Sequence, residues 1–137
     1  MKINECVNYL LAQVQNKVNL LFKENLSEFG ITPAQYVLLY HLWEEDGLSP
    51  SQLSSLSGLD ASTITGLLTR MEKKDLIKRS HSTDDRRGVN VYLTPQGAAV
   101  QGDIIGIIEK SNRQALLCLN AKEQKAFKDY LNRILLQ

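Results

Sequence analysis

The side chains with the clearest chemistry lie between Asp60 and Lys73, and their chemistry is that of contact with an anionic polymer. Ile64, Leu67, Leu68 and Met71 recur at i, i+3, i+4 and i+7, one apolar stripe of a helix. At roughly 100° per residue the opposite face holds Ser62, Gly66, Thr69 and Lys73, flanked by Thr63, Thr65 and Arg70. Hydroxyls at the front of a helix reach base edges and phosphates, and cations behind them neutralise phosphate. An ordinary solvated face has the same composition, so the neighbouring segments decide between the two. One of these is Thr83-Asp84-Asp85-Arg86-Arg87-Gly88, a turn between two alternating stretches, Ile77 to Ser82 and Val89 to Thr94, that read as a two-stranded hairpin. Adjacent arginines at an exposed tip repel each other, whereas an anionic groove accepts both, and arginine suits a narrow minor groove. Asp85 is placed to hold one guanidinium through a charge-assisted pair.

Short helices must position these groups. Ser49-Pro50-Ser51-Gln52 is a capping box with proline at the first helical position, and Leu53 and Leu56 are expected on the buried side of that helix. Ser57-Gly58-Leu59 makes a glycine-containing turn, and Asp60 caps the helix with the hydroxyl face. Two short helices joined in this way have the helix-turn-helix pattern, which tips the hydroxyl face towards DNA. Upstream, Thr32-Pro33-Ala34-Gln35 caps a helix with a broad apolar face of Val37, Leu38, Leu39, Leu42 and Trp43. Tyr36, Tyr40, His41 and Trp43 recur there at helical spacing and read as core rather than as a pocket lining.

Long helices flank this centre. Val7, Leu11, Val14, Val18 and Leu21 are spaced by four, three, four and three, as in a coiled-coil seam, and Gly30 ends the segment. Thr94-Pro95 starts a helix expected to run to about Leu119, and Asn120-Ala121-Lys122-Glu123 caps a last helix with Phe127, Tyr130, Leu131 and Ile134 on one face. Apolar stripes this long exceed what a core of this size can cover, which implies a homodimer.

At 137 residues, 43% hydrophobic and 23% charged, the chain has the composition of one globular domain. No apolar run approaches the roughly 18 residues that span a bilayer, so no membrane partner is expected, and a cytoplasmic location is the default. Net charge is only +1, but Arg70 to Arg87 holds seven cations against four acids, a local excess that a dimer doubles. Cys6 and Cys118 stand far apart with no histidine cluster, so neither a metal nor another cofactor is expected. No nucleophile–base pair or glycine-rich phosphate loop argues for an enzyme.

Taken in order, these segments resemble the MarR family of winged helix-turn-helix transcriptional regulators over essentially the whole chain. The most specific part is DDRRGVNVYLTPQG, which is similar to the family's wing signature, D-x-R followed by a strand and L-T-x-x-G; here these fall on Asp85, Arg87, Leu93, Thr94 and Gly97. The resemblance implies a mainly α fold with a small β-hairpin wing and with N- and C-terminal dimerisation helices. Residues 1–137 form one domain, 32–94 the winged DNA-binding part, and 1–30 and 95–137 the dimerisation helices. It implies a dimeric repressor of a pseudo-palindromic operator in double-stranded DNA, released by a small aromatic or anionic effector. Carried onto this chain, Ser62, Thr63, Thr65, Thr69 and Arg70 become groove or phosphate contacts. Ser51 and Gln52 meet the backbone, Arg87 enters the minor groove, Asp85 orients it, and Arg86 meets phosphate. One branch of the family senses peroxides through a cysteine in its first helix. Cys6 invites that comparison, although the reactive position falls nearer Asn8, and Phe22 stands near the place of an expected tyrosine. Thiol-based sensing on the same fold, or a winged-helix module that docks proteins, are the alternatives.

Overall fold

The structure, a computed structural model, describes residues 1–81 and 88–137. Its elements in chain order are α1 (Val7–Leu26), α2 (Pro33–Glu44), α3 (Pro50–Ser57), α4 (Ala61–Lys73), β1 (Ile77–His81), β2 (Val89–Leu93), α5 (Pro95–Ala99), α6 (Gln101–Ala115) and α7 (Ala121–Leu136). The helices start where the caps place them. Thr32 Oγ1 accepts from the Gln35 amide while Gln35 Oε1 accepts from Thr32 N–H, and the same reciprocal pair joins Ser49 to Gln52 and Asn120 to Glu123. Asp60 and Thr94 cap α4 and α5 through single bonds to the amides of Thr63 and Gly97.

One apolar cluster holds the centre together. Leu38, Leu39 and Leu42 of α2, Leu53 of α3, and Ile64, Leu68 and Met71 of α4 are buried with Ile77, Val91, Ile104 and, at the end of α1, Leu26. Leu56, expected on the buried side of α3, is 54% exposed. An eight-residue helix packed along a single line buries Leu53 and leaves the next apolar position outside.

β1 and β2 pair antiparallel from Ile77↔Leu93 to His81↔Val89. A third edge, not foreseen from sequence, comes from the loop after α2. Gly47 N–H donates to Val91 O at 3.0 Å, Val91 N–H donates to Leu48 O at 2.8 Å, and Leu93 N–H donates to the Asp46 carboxylate at 2.8 Å. Gly47 has φ +78°, and a Cβ there would lie 2.9 Å from the Tyr92 ring, so this edge requires glycine.

The single helix expected from Pro95 to Leu119 is two helices. The ladder breaks at Val100 (φ −80°, ψ −4°), and α6 ends at Ala115. The amide of Gln124 donates to the carbonyls of Leu116 and Leu119, closing that end from α7. α1 likewise begins at Val7, after a 3-10 turn at Ile3–Glu5.

The L-T-x-x-G signature has a plain geometric cause. Thr94 N–H donates to Leu76 O at 3.1 Å, and its hydroxyl donates to Asp75 O at 2.5 Å while accepting from Gly97 N–H at 3.0 Å. Gly97 O in turn accepts from Trp43 Nε1 at 2.9 Å. A Cβ on Gly97 would sit 2.0 Å from Leu76 O, a distance no backbone tolerates. Gly97→Ala is therefore expected to lower stability by roughly 1–3 kcal/mol or more. A urea midpoint equal to that of the parent would show that the Leu76 carbonyl can move aside.

Candidate nucleic-acid interface

α4 divides sharply into two faces. Ile64, Leu67, Leu68 and Met71 are buried, while Ser62, Thr63, Thr65 and Arg70 are exposed and Thr69 is half-buried. The fixed 3.6-residue period produces this division: four apolar anchors on one side leave no choice about what faces out. The hydroxyls are held locally. Ser62 Oγ donates to Asp60 Oδ1 at 3.0 Å, Thr65 Oγ1 to Ala61 O at 3.0 Å, and Thr69 Oγ1 to Thr65 O at 3.0 Å. The backbone N–H of Thr63 and the side chains of Thr63 and Ser62 bond to Asp60, which hold its carboxyl below the usual range. Arg70 folds back along the helix, its guanidinium 3.6 Å from where a Cβ on Gly66 would be.

The cations of this region do not all face the same way. Lys74 Nζ donates to the Gly30 carbonyl and, at 3.0 Å, to Gln35 Oε1, turning it towards the start of α2. Arg79 of β1 is paired with Glu72 of α4: its backbone N–H donates to Oε2 at 3.0 Å, and Nη2 reaches Oε1 at 3.3 Å and Thr69 Oγ1 at 3.5 Å. This pair, which sequence reasoning missed, bolts the hairpin to the C-terminal end of the hydroxyl-bearing helix. The alternation of β1 with an acid seven residues earlier was the only available sign. Arg70, Lys73 and Lys78 remain exposed.

Ser51 and Gln52 are exposed in the first turn of α3, although Gln52 Oε1 serves the capping box, which leaves its amide NH2 to meet a partner. Between α3 and α4 runs a cleft of about 380 Å³ lined by Ser51, Ser54, Ser55 and Thr65 among others. The structure thus brings Ser51, Gln52, Ser62, Thr63, Thr65, Thr69 and Arg70 onto two adjoining helices. Asp85, Arg86 and Arg87 lie outside the described residues. Among the described residues no group of three His, Cys, Asp or Glu side chains is placed to hold a metal ion, and no helix is long and apolar enough to cross a membrane.

This arrangement of helices and hairpin is shared with known proteins. The profile of the MarR family matches residues 31–89. The organic hydroperoxide resistance transcriptional regulator of Bacillus subtilis (strain 168) is 32% identical over 118 residues, 81% of this chain and 80% of that protein. The chain belongs to the MarR family. Two solved structures agree along nearly the whole length. Bordetella bronchiseptica BpsR, described with a mechanism for regulation of its DNA binding by 6-hydroxynicotinic acid, superposes with a TM-score of 0.91 at 26% identity, covering 98% of this chain and 96% of that one. A mutant MarR from E. coli complexed with operator DNA superposes with a TM-score of 0.87 at 27% identity, covering 94% and 93%. This MarR-family chain is accordingly a DNA-binding transcriptional regulator with the mainly α, hairpin-winged fold that its sequence implied.

The Glu72–Arg79 pair makes a pH-dependent contribution to the regulator. The Arg79 guanidinium, then its backbone N–H, hold the Glu72 carboxyl below its usual range. A carboxyl depressed in the folded state stabilises above its unfolded pKa, about 4.3 for glutamate, and that contribution is lost as pH falls through the lower folded value. Glu72→Gln should therefore have a lower urea midpoint than the parent at pH 7, and the difference should shrink as pH is lowered below about 4.3. A difference independent of pH would remove charge from the explanation.

Proposed function

We propose that this regulator is a cytoplasmic homodimer that represses transcription by gripping a pseudo-palindromic operator, and that a small aromatic or anionic effector releases it. It acts by binding rather than by catalysis. The observation that carries this reading is the division of α4, the second helix of the helix-turn-helix, into four buried apolar anchors and an exposed face of Ser62, Thr63, Thr65 and Arg70. On this reading α4 lies in the major groove with Thr65 and Thr69 along it and Arg70 towards its phosphate edge. Ser51 and Gln52 meet the backbone at the start of α3. Arg87 enters the flanking minor groove with Asp85 as its orienter, and Arg86 meets phosphate. Residues 32–94 do the reading, and residues 1–30 and 95–137 join two copies.

The terminal helices support dimerisation through what they leave uncovered. α7 buries no residue and α1 buries only Leu26, while Val7, Val14, Leu117 and Leu135 are 64%, 48%, 82% and 79% exposed. Apolar surface on that scale marks an interface. Two cavities open here, one of about 710 Å³ between α1 and the end of α6 and one of about 310 Å³ lined by Leu11, Val14, Phe22, Phe127 and Leu131, and on this reading side chains of a second copy fill them. A two-fold dimer sets two α4 helices about one DNA turn apart, roughly 34 Å. An effector releases DNA when it prefers a spacing that the operator does not.

Val14→Glu places a charge in the proposed seam. It should sediment as a monomer at a concentration where the parent is a dimer, and should lose operator binding with it. A dimeric variant would refute the seam. Arg87→Ala should lose about 1–3 kcal/mol of operator affinity per half-site. Binding by the parent should weaken steeply with salt through counterion release. Titration of a footprinted upstream duplex at fixed salt measures both, and an unchanged Kd for the variant would overturn the role given to the wing. Release by an organic hydroperoxide that Cys6→Ser abolishes would instead favour thiol sensing, the regulation suggested by the Bacillus relative's name.

A further inference from the structure

The exposed face of α4 has given away its hydroxyl hydrogens. A hydroxyl carries one hydrogen and two acceptor lone pairs. Ser62 donates to Asp60, Thr65 to the Ala61 carbonyl and Thr69 to the Thr65 carbonyl, each at 3.0 Å. Thr69 Oγ1 also receives Arg79 Nη2 at 3.5 Å, so its oxygen is engaged twice and chiefly its methyl is left for a partner. Once Thr65 Oγ1 faces the preceding turn, the staggered geometry at Cβ directs its methyl away from that carbonyl.

The rest of the face is equally short of donors. From Ala61 to Thr69 the helix has no Asn, Gln, Lys or Arg, the side chains that read purines in the major groove through paired hydrogen bonds. Ala61, Thr65 and Thr69 stand four residues apart on one side of the helix, and each carries a methyl group. Among major-groove features, the C5-methyl of thymine is the one that small apolar groups recognise.

We propose that the methyl groups of Ala61 and Thr65, continued by Thr69, recognise thymine C5-methyl groups, so that thymine is read from α4 by apolar contact rather than by a hydroxyl donor. This rests on α4 lying in the major groove as set out above. Polar side chains elsewhere, Arg70 and the wing arginines among them, then supply affinity more than base identity.

The test removes methyl groups from one side at a time. A duplex selected from a random pool by the parent protein is resynthesised with each thymine in turn replaced by deoxyuridine, and Kd is titrated at fixed salt. One or more positions per half-site should lose about fourfold, the scale of one buried methyl. At one of those positions Thr65→Val, which keeps the methyl and drops the hydroxyl, should retain the preference for thymine. Thr65→Ser, which does the reverse, should lose it, with both variants matching the parent's unfolding midpoint. Equal Kd on thymine and deoxyuridine duplexes would overturn the proposal. So would a preference kept by Thr65→Ser and lost by Thr65→Val, because the hydroxyl would then be the reader. If the parent enriched no duplex, the operator-binding reading would fail instead, and the methyl readout with it.

Discussion

The carbonyl of Leu76 is the point on which the joint between α4, the hairpin and α5 depends. Asp75 takes a left-handed conformation (φ +59°) and reverses the chain directly after α4, so that Leu76 N–H returns to Met71 O. The Leu76 carbonyl then accepts from Thr94 at the far end of the hairpin and lies against Gly97 of α5. Because three elements converge on one peptide group, α4 and the hairpin leave the core in a fixed relation. On the proposed reading both elements meet DNA, and two elements on separate hinges would meet successive grooves out of register.

Polar ties extend the constraint outward. Arg79 and Glu72 join β1 to the outer face of α4, and Asp46 with Gly47 and Leu48 gives β2 a second edge. These contacts lie at the surface and contribute little each. Their effect is directional: the hairpin is held from both sides, by α4 and by the loop after α2. The same ties reduce the charge available to a partner, because Lys74 and Arg79 are occupied within the chain. The count of cations in the sequence overstated the basic surface for this reason.

What could be read from the sequence was whatever nearby residues decide. The capping boxes at Thr32, Ser49 and Asn120, the Asp60 cap and the apolar stripe of α4 all involve partners within a few positions, and each is where the pattern placed it. What escaped notice depends on residues far apart in sequence. Gly97 is required by Leu76, Trp43 bonds to Gly97, and Gln124 of α7 reaches the carbonyls of Leu116 and Leu119 just beyond the end of α6. The break at Val100 carries no proline or glycine of its own. It follows from seating α5 against the hairpin while α6 crosses α1. Within the candidate site the exposed residues of α4 were legible from periodicity, whereas Ser51 and Gln52 of α3 came from the family resemblance. The Glu72–Arg79 pair was not legible, because nothing local distinguishes it from two solvated charges.

Asn25 links the two long helices in a way that matters for motion. Its amide donates to Ser111 Oγ and to Gln114 Oε1, both at 2.8 Å, and Ser111 is fully buried. Sliding α1 along α6 would break both bonds, while Ser111 Oγ keeps its bond to the Ile107 carbonyl, so the tie sets the register of the two helices. Trp43, the chain's one tryptophan, sits beside the Gly97 joint rather than in that helical pair. Its indole emission, excited where tyrosine does not absorb, is therefore a built-in optical gauge of the joint between hairpin and α5, needing no added dye, and is placed away from the α1–α6 pair.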